Sequence, residues 1–318
     1  MKKLIYDSVL LLWGCLLWTA CNNDEDLTVF STEGAKTELG QKIIAGSDGY
    51  VGQYFSDSTY TLAPGVQALE MKILSSTGLA VKMFVLEVDL KEAHLTMKAS
   101  SPNEEGKLKT KQQMTLQALA YDKSGSRVLA AVNGDFFAKD GTPQGIYYRN
   151  GTCLKGTMTD NVCTFFAITK NKRAIIGSYD EYDSYKENIQ EAVGGRVRLM
   201  TNGNVLPQTV TALEPRTAIG VTDDNVVYIL VADGRNFWYS NGMRYAEMGA
   251  VMKALGAKNA INLDGGGSST FIIRKIAGFE DGRFAIRNWP YDNGGVEREV
   301  ANGRFFVKFG GTSSIVNK

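Results

Sequence analysis

The 318-residue chain carries 35 Lys and Arg against 34 Asp and Glu, a single His, 4 Cys, 34 Gly and only 6 Pro. One imidazole excludes multi-histidine zinc centres and leaves His94 as the sole base for any Ser/His/Asp or Cys/His system, while near-zero net charge without a basic run excludes the phosphate-neutralising surface that nucleic-acid binding requires. Glycine at about 11%, above the usual ~7% and without proline enrichment, points to many tight turns; eleven of the glycines follow Asn or Asp, the strongest short signal for a turn between strands.

Lys2 and Lys3 precede an apolar stretch, Ser8 to Ala20, that falls short of the about 20 residues needed to span a bilayer. Residues 1–20 therefore read as a secretory signal. The stretch Leu17-Trp18-Thr19-Ala20-Cys21 resembles the lipobox of bacterial lipoproteins, with Trp18 where Leu is usual. The resemblance implies a lipid on Cys21, anchorage to a membrane, and placement as an outer-membrane lipoprotein in the periplasm or at the cell surface. Removing Lys2, Lys3 and Asp7 with the leader brings the formal net charge from +1 to zero. Residues 21–48 are polar, with little periodicity, and read as a lipidated tether; the acidic run Asp24 to Asp26 resembles a surface-display signal.

Residues 49–78 form an N-terminal strand region, with strands at Tyr60–Leu62 and Ala68–Leu74. Leu79–Leu90 follows as a strand with Val81, Met83 and Val85 on one face and Phe84, Leu86, Val88 and Leu90 on the other. The second face is the more continuously apolar and is expected to point inward. His94 begins the next strand, Leu95–Ala99; no motif surrounds it, so it reads as a surface residue rather than a base. A helix is predicted over Thr110–Tyr121, with Thr110 as N-cap. A second is predicted over Gly242–Leu255, with Asn241 as N-cap, Gly256 as stop and Met248, Val251, Met252 and Leu255 on a buried stripe. Further strands are expected at Val128–Val132, Thr164–Thr169, Ala174–Ile176, Thr217–Val221, Val226–Val231, Asn259–Leu263, Thr270–Ile273 and Phe305–Phe309. Glu181–Glu191 reads as a short helix or excursion. Export permits a disulfide between Cys153 and Cys163; two buried free thiols fit equally. Strands outnumber helices without alternating with them, so the expected class is α+β, a strand-rich mixed-sheet core with two main helices.

Four clusters place polar groups where an apolar strand meets a loop, the position at which rigid scaffolds present functional residues. The most informative is Asn259 to Phe271, NAINLDGGGSSTF, in which a strand delivers Asn262 and Asp264 to three glycines and then Ser268 and Ser269. The spacing matches neither GxGxxG nor GxxxxGK[ST], and a strand rather than a helix follows, so this is not a nucleotide loop. Gly265 and Gly266 instead let backbone N–H groups approach an anion or a sugar closely. The others are Asn133-Gly134-Asp135-Phe136-Phe137, Pro215-Arg216-Thr217 and Asp233-Gly234-Arg235.

Taken in order, NGDFF, PRTAIGV, VADGR, the Glu247-bearing helix, LGAKNAINLDGGGSST and REVANG resemble the phosphodiester glycosidase family over Leu79 to Phe309, placing a family-like domain at 79–310. The resemblance implies hydrolysis of a sugar joined through its anomeric carbon to a phosphodiester, as in N-acetylglucosamine-1-phosphodiesters within a glycan or glycolipid. The leaving group is good, so the chemistry asks for a carboxylate that stabilises an oxocarbenium ion and cations that hold phosphate. Arg216 and Arg235 are the expected phosphate ligands, since a guanidinium bonds two phosphate oxygens at once. Asp264 is the expected nucleophile or base and Glu247 its acid/base partner, with Asp135 and Asp233 as alternatives. Asn133, Asn262 and Asn302 are expected to orient sugar hydroxyls, with Thr217, Gly265, Gly266, Ser268 and Ser269 completing the substrate site.

This scheme names no certain cofactor and leaves a divalent cation open. Two alternatives remain: a phosphodiesterase cutting P–O with a divalent cation on Asp135, Asp233, Asp264 and Asn262, and a non-catalytic surface lipoprotein that binds glycans on Phe237, Trp238, Tyr239, Trp289 and Tyr291.

Overall fold

The computed structural model describes residues 34–275 and 283–309; the signal segment, Cys21 and the tether up to residue 33 lie outside them. Four helices occur among the described residues: α1 (Glu38–Gly46), α2 (Met114–Tyr121), α3 (Tyr182–Tyr185) and α4 (Tyr245–Ala254). An eight-stranded sheet runs in the order β1 (Val51–Ala63), β2 (Val66–Ser75), β3 (Ala80–Asp89), β14 (Val226–Ala232), β13 (Arg216–Val221), β15 (Asn259–Leu263), β11 (Arg198–Thr201), β12 (Asn204–Val205). A five-stranded sheet orders β7 (Thr152–Lys155), β6 (Tyr147–Arg149), β10 (Ile189–Gly195), β8 (Thr164–Thr169) and β9 (Ala174–Ser178). The third orders β17 (Phe284–Ile286), β16 (Phe271–Arg274), β5 (Ser126–Asn133), β18 (Gly303–Phe309) and β4 (Leu95–Ala99). The class is α+β, as expected, although the strand ladders described are antiparallel rather than mixed.

All three sheets contribute to one central core, in which Phe84, Leu86 and Val88 of β3 meet Leu129, Phe166, Ile219, Ile229, Leu263, Phe271 and Phe306. The expected one-sided burial of β3 is corrected here. Val81, Met83 and Val85 on the opposite face are equally buried, against Leu39 and Ile43 of α1 and Met248, Val251 and Met252 of α4. Two helices cover what the alternation alone read as an outer face.

Helix α1 also revises the tether, because residues 34–48 belong to the folded body. Thr37 caps the helix by accepting from the Gly40 N–H at 3.0 Å. Asp57 of β1 holds the entry, accepting from the backbone N–H groups of Lys36 and Thr37 at 2.9 Å each. At the other end α1 touches α4 so closely that a Cβ on Gly46 would lie 2.9 Å from the Ala254 Cα, a contact only glycine allows.

The two helices expected from periodicity form, each with a later start. Gln112 bridges Val300, so α2 begins at Met114 rather than after Thr110. Met243 bridges Glu214 and the Asn241 amide donates to the Ala80 and Phe237 carbonyls, so α4 begins at Tyr245 with Arg244 as its N-cap. Glu181–Glu191 divides into short helical turns and the start of β10, whose Glu191 is buried against Lys98. Cys153 and Cys163 are free thiols, the first exposed and the second buried, and His94 is exposed in a turn.

Ile43 is fully buried in α1, so Ile43→Ala should cost about 2–5 kcal/mol in chemical denaturation. A cost below about 1 kcal/mol would return residues 34–48 to the role of a tether.

Candidate active site

The paired strands β13 and β15 of the eight-stranded sheet meet the third sheet where the end of β5, the start of β13, the end of β15 and the start of β18 come together. The join is made of hydrogen bonds. The Asn133 side-chain amide donates to the Asp264 carbonyl at 2.6 Å, and its oxygen accepts from the Thr217 hydroxyl at 2.9 Å and the Thr270 N–H at 3.1 Å. The Asp264 N–H donates to the Gly134 carbonyl at 2.9 Å. Asn302 continues the link, accepting from the Asp135 N–H at 3.0 Å.

In front of this join lies a cavity of about 310 Å³ lined by Phe136, Glu214, Arg216, Arg235, Asp264, Gly265, Gly266, Gly267, Asp292 and Arg298. Its charges are unequally engaged. Arg235 is held by Glu214 and Asp292, each at 2.6 Å, and Asp292 also binds Arg298 at 2.6 Å. Arg216 is held by carbonyls alone, those of Met243 at 3.1 Å and Ala212 at 3.0 Å, with its guanidinium 4.2 Å over the Tyr245 ring. Among the described residues no carboxylate pairs with it. It is therefore the lining cation whose charge remains for an anionic ligand.

Asp264 is half-buried at the cavity wall, and burial pushes its carboxyl up to about 6; Ser268, the Arg298 charge and the Gly265 N–H act against the rise. Asp135 lies behind it, 1% exposed. Burial pushes its carboxyl up to about 8, with the Gly145 N–H opposing and the Asp264 charge adding to the rise. Its Oδ2 accepts from Gly145 at 2.6 Å, while its Oδ1 has no partner. Close packing accounts for the burial: a Cβ on Gly194 would stand 2.5 Å from Asp135 Oδ2. Lys155 also feels this carboxylate; its amine is lowered by burial, and Asp135 offsets part of that. Asn302 Nδ2 joins Asp135 Oδ1 as a buried polar atom without a protein hydrogen bond among the described residues, and Ser268 Oγ is buried beside Asp264.

The sequence profile of the phosphodiester glycosidase family matches residues 126–307, which contain the strand ends that build this cavity. The chain belongs to the phosphodiester glycosidase family. Its fold is similar to that of the catalytic domain of zebrafish N-acetylglucosamine-1-phosphodiester α-N-acetylglucosaminidase, auto-inhibited by its pro-peptide. The identity is 17% and the TM-score 0.61, over 80% of this chain and 88% of that one. A hypothetical protein from Synechocystis is similar at 11% identity and a TM-score of 0.56, over 79% of this chain and 64% of that one. No curated protein sequence matches the chain.

Within this phosphodiester glycosidase the structure brings together Asp135, Arg216, Arg235, Asp264, Gly265, Gly266, Ser268 and Asn302. Other expected site residues have structural work instead. The Glu247 carboxylate binds the Arg244 guanidinium and backbone N–H at 2.6 and 2.7 Å, so it closes the first turn of α4 and does not line the cavity. Asp233 is buried beneath the loops, accepting from the Trp289 N–H at 2.9 Å, Asn288 at 3.1 Å and the Tyr239 hydroxyl at 3.0 Å; burial raises its carboxyl. Asn262 ties β15 to Val197 at 2.6 Å and donates to Leu263. Asn133, Thr217 and Ser269 are buried and bonded within the protein. The four carboxylate and amide groups named for a cation thus point to different partners, and no group of three His, Cys, Asp or Glu converges as a metal site among the described residues.

Sequence reasoning missed Glu214, Asp292 and Arg298. Two of them carried a signal: Glu214 directly precedes the Pro215-Arg216 cluster, and Arg298 heads the REVANG motif.

A carboxyl raised in the folded state binds its proton more tightly there than in the unfolded chain. Asp135 therefore favours folding at low pH, and that contribution is lost as pH rises through about 8. Asp135→Asn, which cannot ionise, should melt above the wild type at pH 9 and differ less at pH 5, as read by calorimetry. A lower melting temperature at pH 9 would contradict this placement.

Proposed function

We propose that this phosphodiester glycosidase hydrolyses a sugar-1-phosphodiester, of the N-acetylglucosamine-1-phosphodiester kind, in a glycan or glycolipid. The observation that carries the reading is the pairing in one cavity of Arg216, which has no carboxylate partner among the described residues, with Asp264, a carboxylate raised by burial. Arg216 binds the phosphodiester oxygens, with Arg298 and Arg235 adding positive charge at the rim. Asp264 faces the anomeric carbon and stabilises the positive charge that develops as the C1–O bond breaks. The bridging oxygen leaves with the phosphate, water supplies the new C1 hydroxyl, and the products are the free sugar and a phosphomonoester. Asp135 stays protonated near neutral pH, which lets Asp264 ionise without a second negative charge behind it. The likeness to the zebrafish glycosidase fold supports the same substrate class. Export and lipidation of Cys21 belong to this proposal, placing the reaction in the cell envelope.

Incubation with N-acetylglucosamine-1-phospho-methyl diester in ¹⁸O-water should place the label on the sugar, with the same rate in chelator. Label in the phosphate together with loss of turnover in chelator would instead establish the cation-dependent phosphodiesterase. Asp264→Asn should lower kcat by roughly 10²–10⁴-fold with an unchanged circular dichroism spectrum. The wild-type kcat/KM should rise as pH passes about 6 and Asp264 ionises, then fall as Asp135 ionises near 8. Asp135→Asn should remove the alkaline fall alone; a profile flat from pH 5 to 9 would sink both assignments.

A further inference from the structure

At the same end of the eight-stranded sheet as the charged cavity lies a second concavity of opposite character. It measures about 220 Å³ and is lined by Leu74, Gly78, Leu79, Ala80, Phe237, Trp238 and Asn241. One wall is the turn between β2 and β3; the other is the loop that leaves β14 after Asp233. Trp238 is 86% exposed and Phe237 63% exposed, standing edge to face with ring centroids 5.0 Å apart. Two adjacent exposed aromatic rings beside an apolar concavity are the kind of surface that contacts a ligand or partner.

The loop is anchored rather than loose at its base. Asn236 and Ser240 bridge each other, the Ser240 hydroxyl donates to the Asp233 carbonyl at 2.6 Å and accepts from the Lys82 N–H at 3.0 Å, and the Asn241 N–H donates to Ala80 at 2.8 Å. It also joins the two concavities. Arg235 lines the charged one and Phe237 the apolar one, and two residues of chain separate their Cα atoms by at most about 7 Å.

We propose that this groove binds the apolar aglycone of the phosphodiester, a long-chain alkyl or polyisoprenyl alcohol. The inference rests on the sugar-1-phosphodiester reading. In such a substrate one phosphate ester goes to the sugar and the other to the aglycone, so an apolar groove lined by the same loop that brings Arg235 to the phosphate-binding end takes the aglycone. Its lining selects hydrocarbon over sugar: Asn241 is the one polar side chain lining it, and its amide N–H groups already donate to Ala80 and Phe237. Its concave shape suits a single chain rather than a membrane plane.

The test uses ethyl, octyl and dodecyl phosphate, below their micelle concentrations, as probes of binding independent of turnover. With the full chain, octyl and dodecyl phosphate should bind at least tenfold more tightly than ethyl phosphate, since each buried methylene contributes roughly threefold to fourfold. They should also shift tryptophan emission to shorter wavelength. The shift and the chain-length gain should disappear in Trp238→Ala and persist in Trp289→Phe. Trp238 projects into solvent, so its replacement leaves the core packed; Leu79→Ser, on the groove floor, should show the same loss. Affinity independent of chain length, a gain that survives both variants, or a shift produced by N-acetylglucosamine oligosaccharides or phospholipid vesicles in place of alkyl phosphates would each overturn the proposal. Failure to hydrolyse the methyl diester bears on the proposed reaction alone, because alkyl phosphate binding is read without it.

Discussion

The site depends on one side chain that touches no ligand. Asn133, buried at the end of β5, spans the gap between two sheets by donating to the Asp264 carbonyl and accepting from Thr217 and Thr270. Each of its bonds ends on a different strand or loop, so it sets the spacing between β5, β13 and the β15 turn at once. A buried amide with this many partners is specific in a way apolar packing is not, because a small displacement leaves donors and acceptors unmatched. Asp264 stands at the cavity because its own backbone is clamped on both sides, by Asn133 at its carbonyl and by Gly134 at its N–H.

The electrostatics follow from that rigidity. Gly145 and Gly194 close around Asp135 because they have no side chains, and the resulting burial keeps the acid neutral near physiological pH. Asp264, nearer to solvent, is raised less. Two carboxyl groups of one chemical type thereby acquire separated proton affinities through unequal burial, a common route to paired acid and base roles. The arginines divide in the same manner. Asp292 and Glu214 hold Arg235, whereas the Met243 and Ala212 carbonyls hold Arg216 without cancelling its charge.

The loops beyond the site share a single anchor. Asp233 ties the Trp289 segment to the Tyr239 loop, and those two segments carry Asp292 to the charged cavity and Trp238 to the apolar groove. Asp233 was expected to act on substrate. Its burial and its hydrogen bonds from three residues instead make it the post from which both cavity-lining loops extend.

The sequence by itself determined the α+β class, most core strands, both main helices and the strand-end clusters from which the site is built. These are local properties: apolar alternation over five or six residues, a helical stripe such as Met248 to Leu255, and an Asn-Gly or Asp-Gly break all act within one element. It also singled out Arg216 and Asp264, both of which line the cavity. What only the tertiary structure decided is which polar residues face the cavity. Asp135, Asp233, Asp264 and Glu247 are alike in a sequence, each an acid at the end of an element. Their roles diverge because Arg244 claims Glu247, the loop N–H groups claim Asp233, two glycines enclose Asp135, and Asp264 keeps an open side. The burial of α1 was hidden for the same reason. A nine-residue polar-looking helix gains its stability from α4 and β3, about 200 and 40 residues away along the chain, and no short window contains that contact.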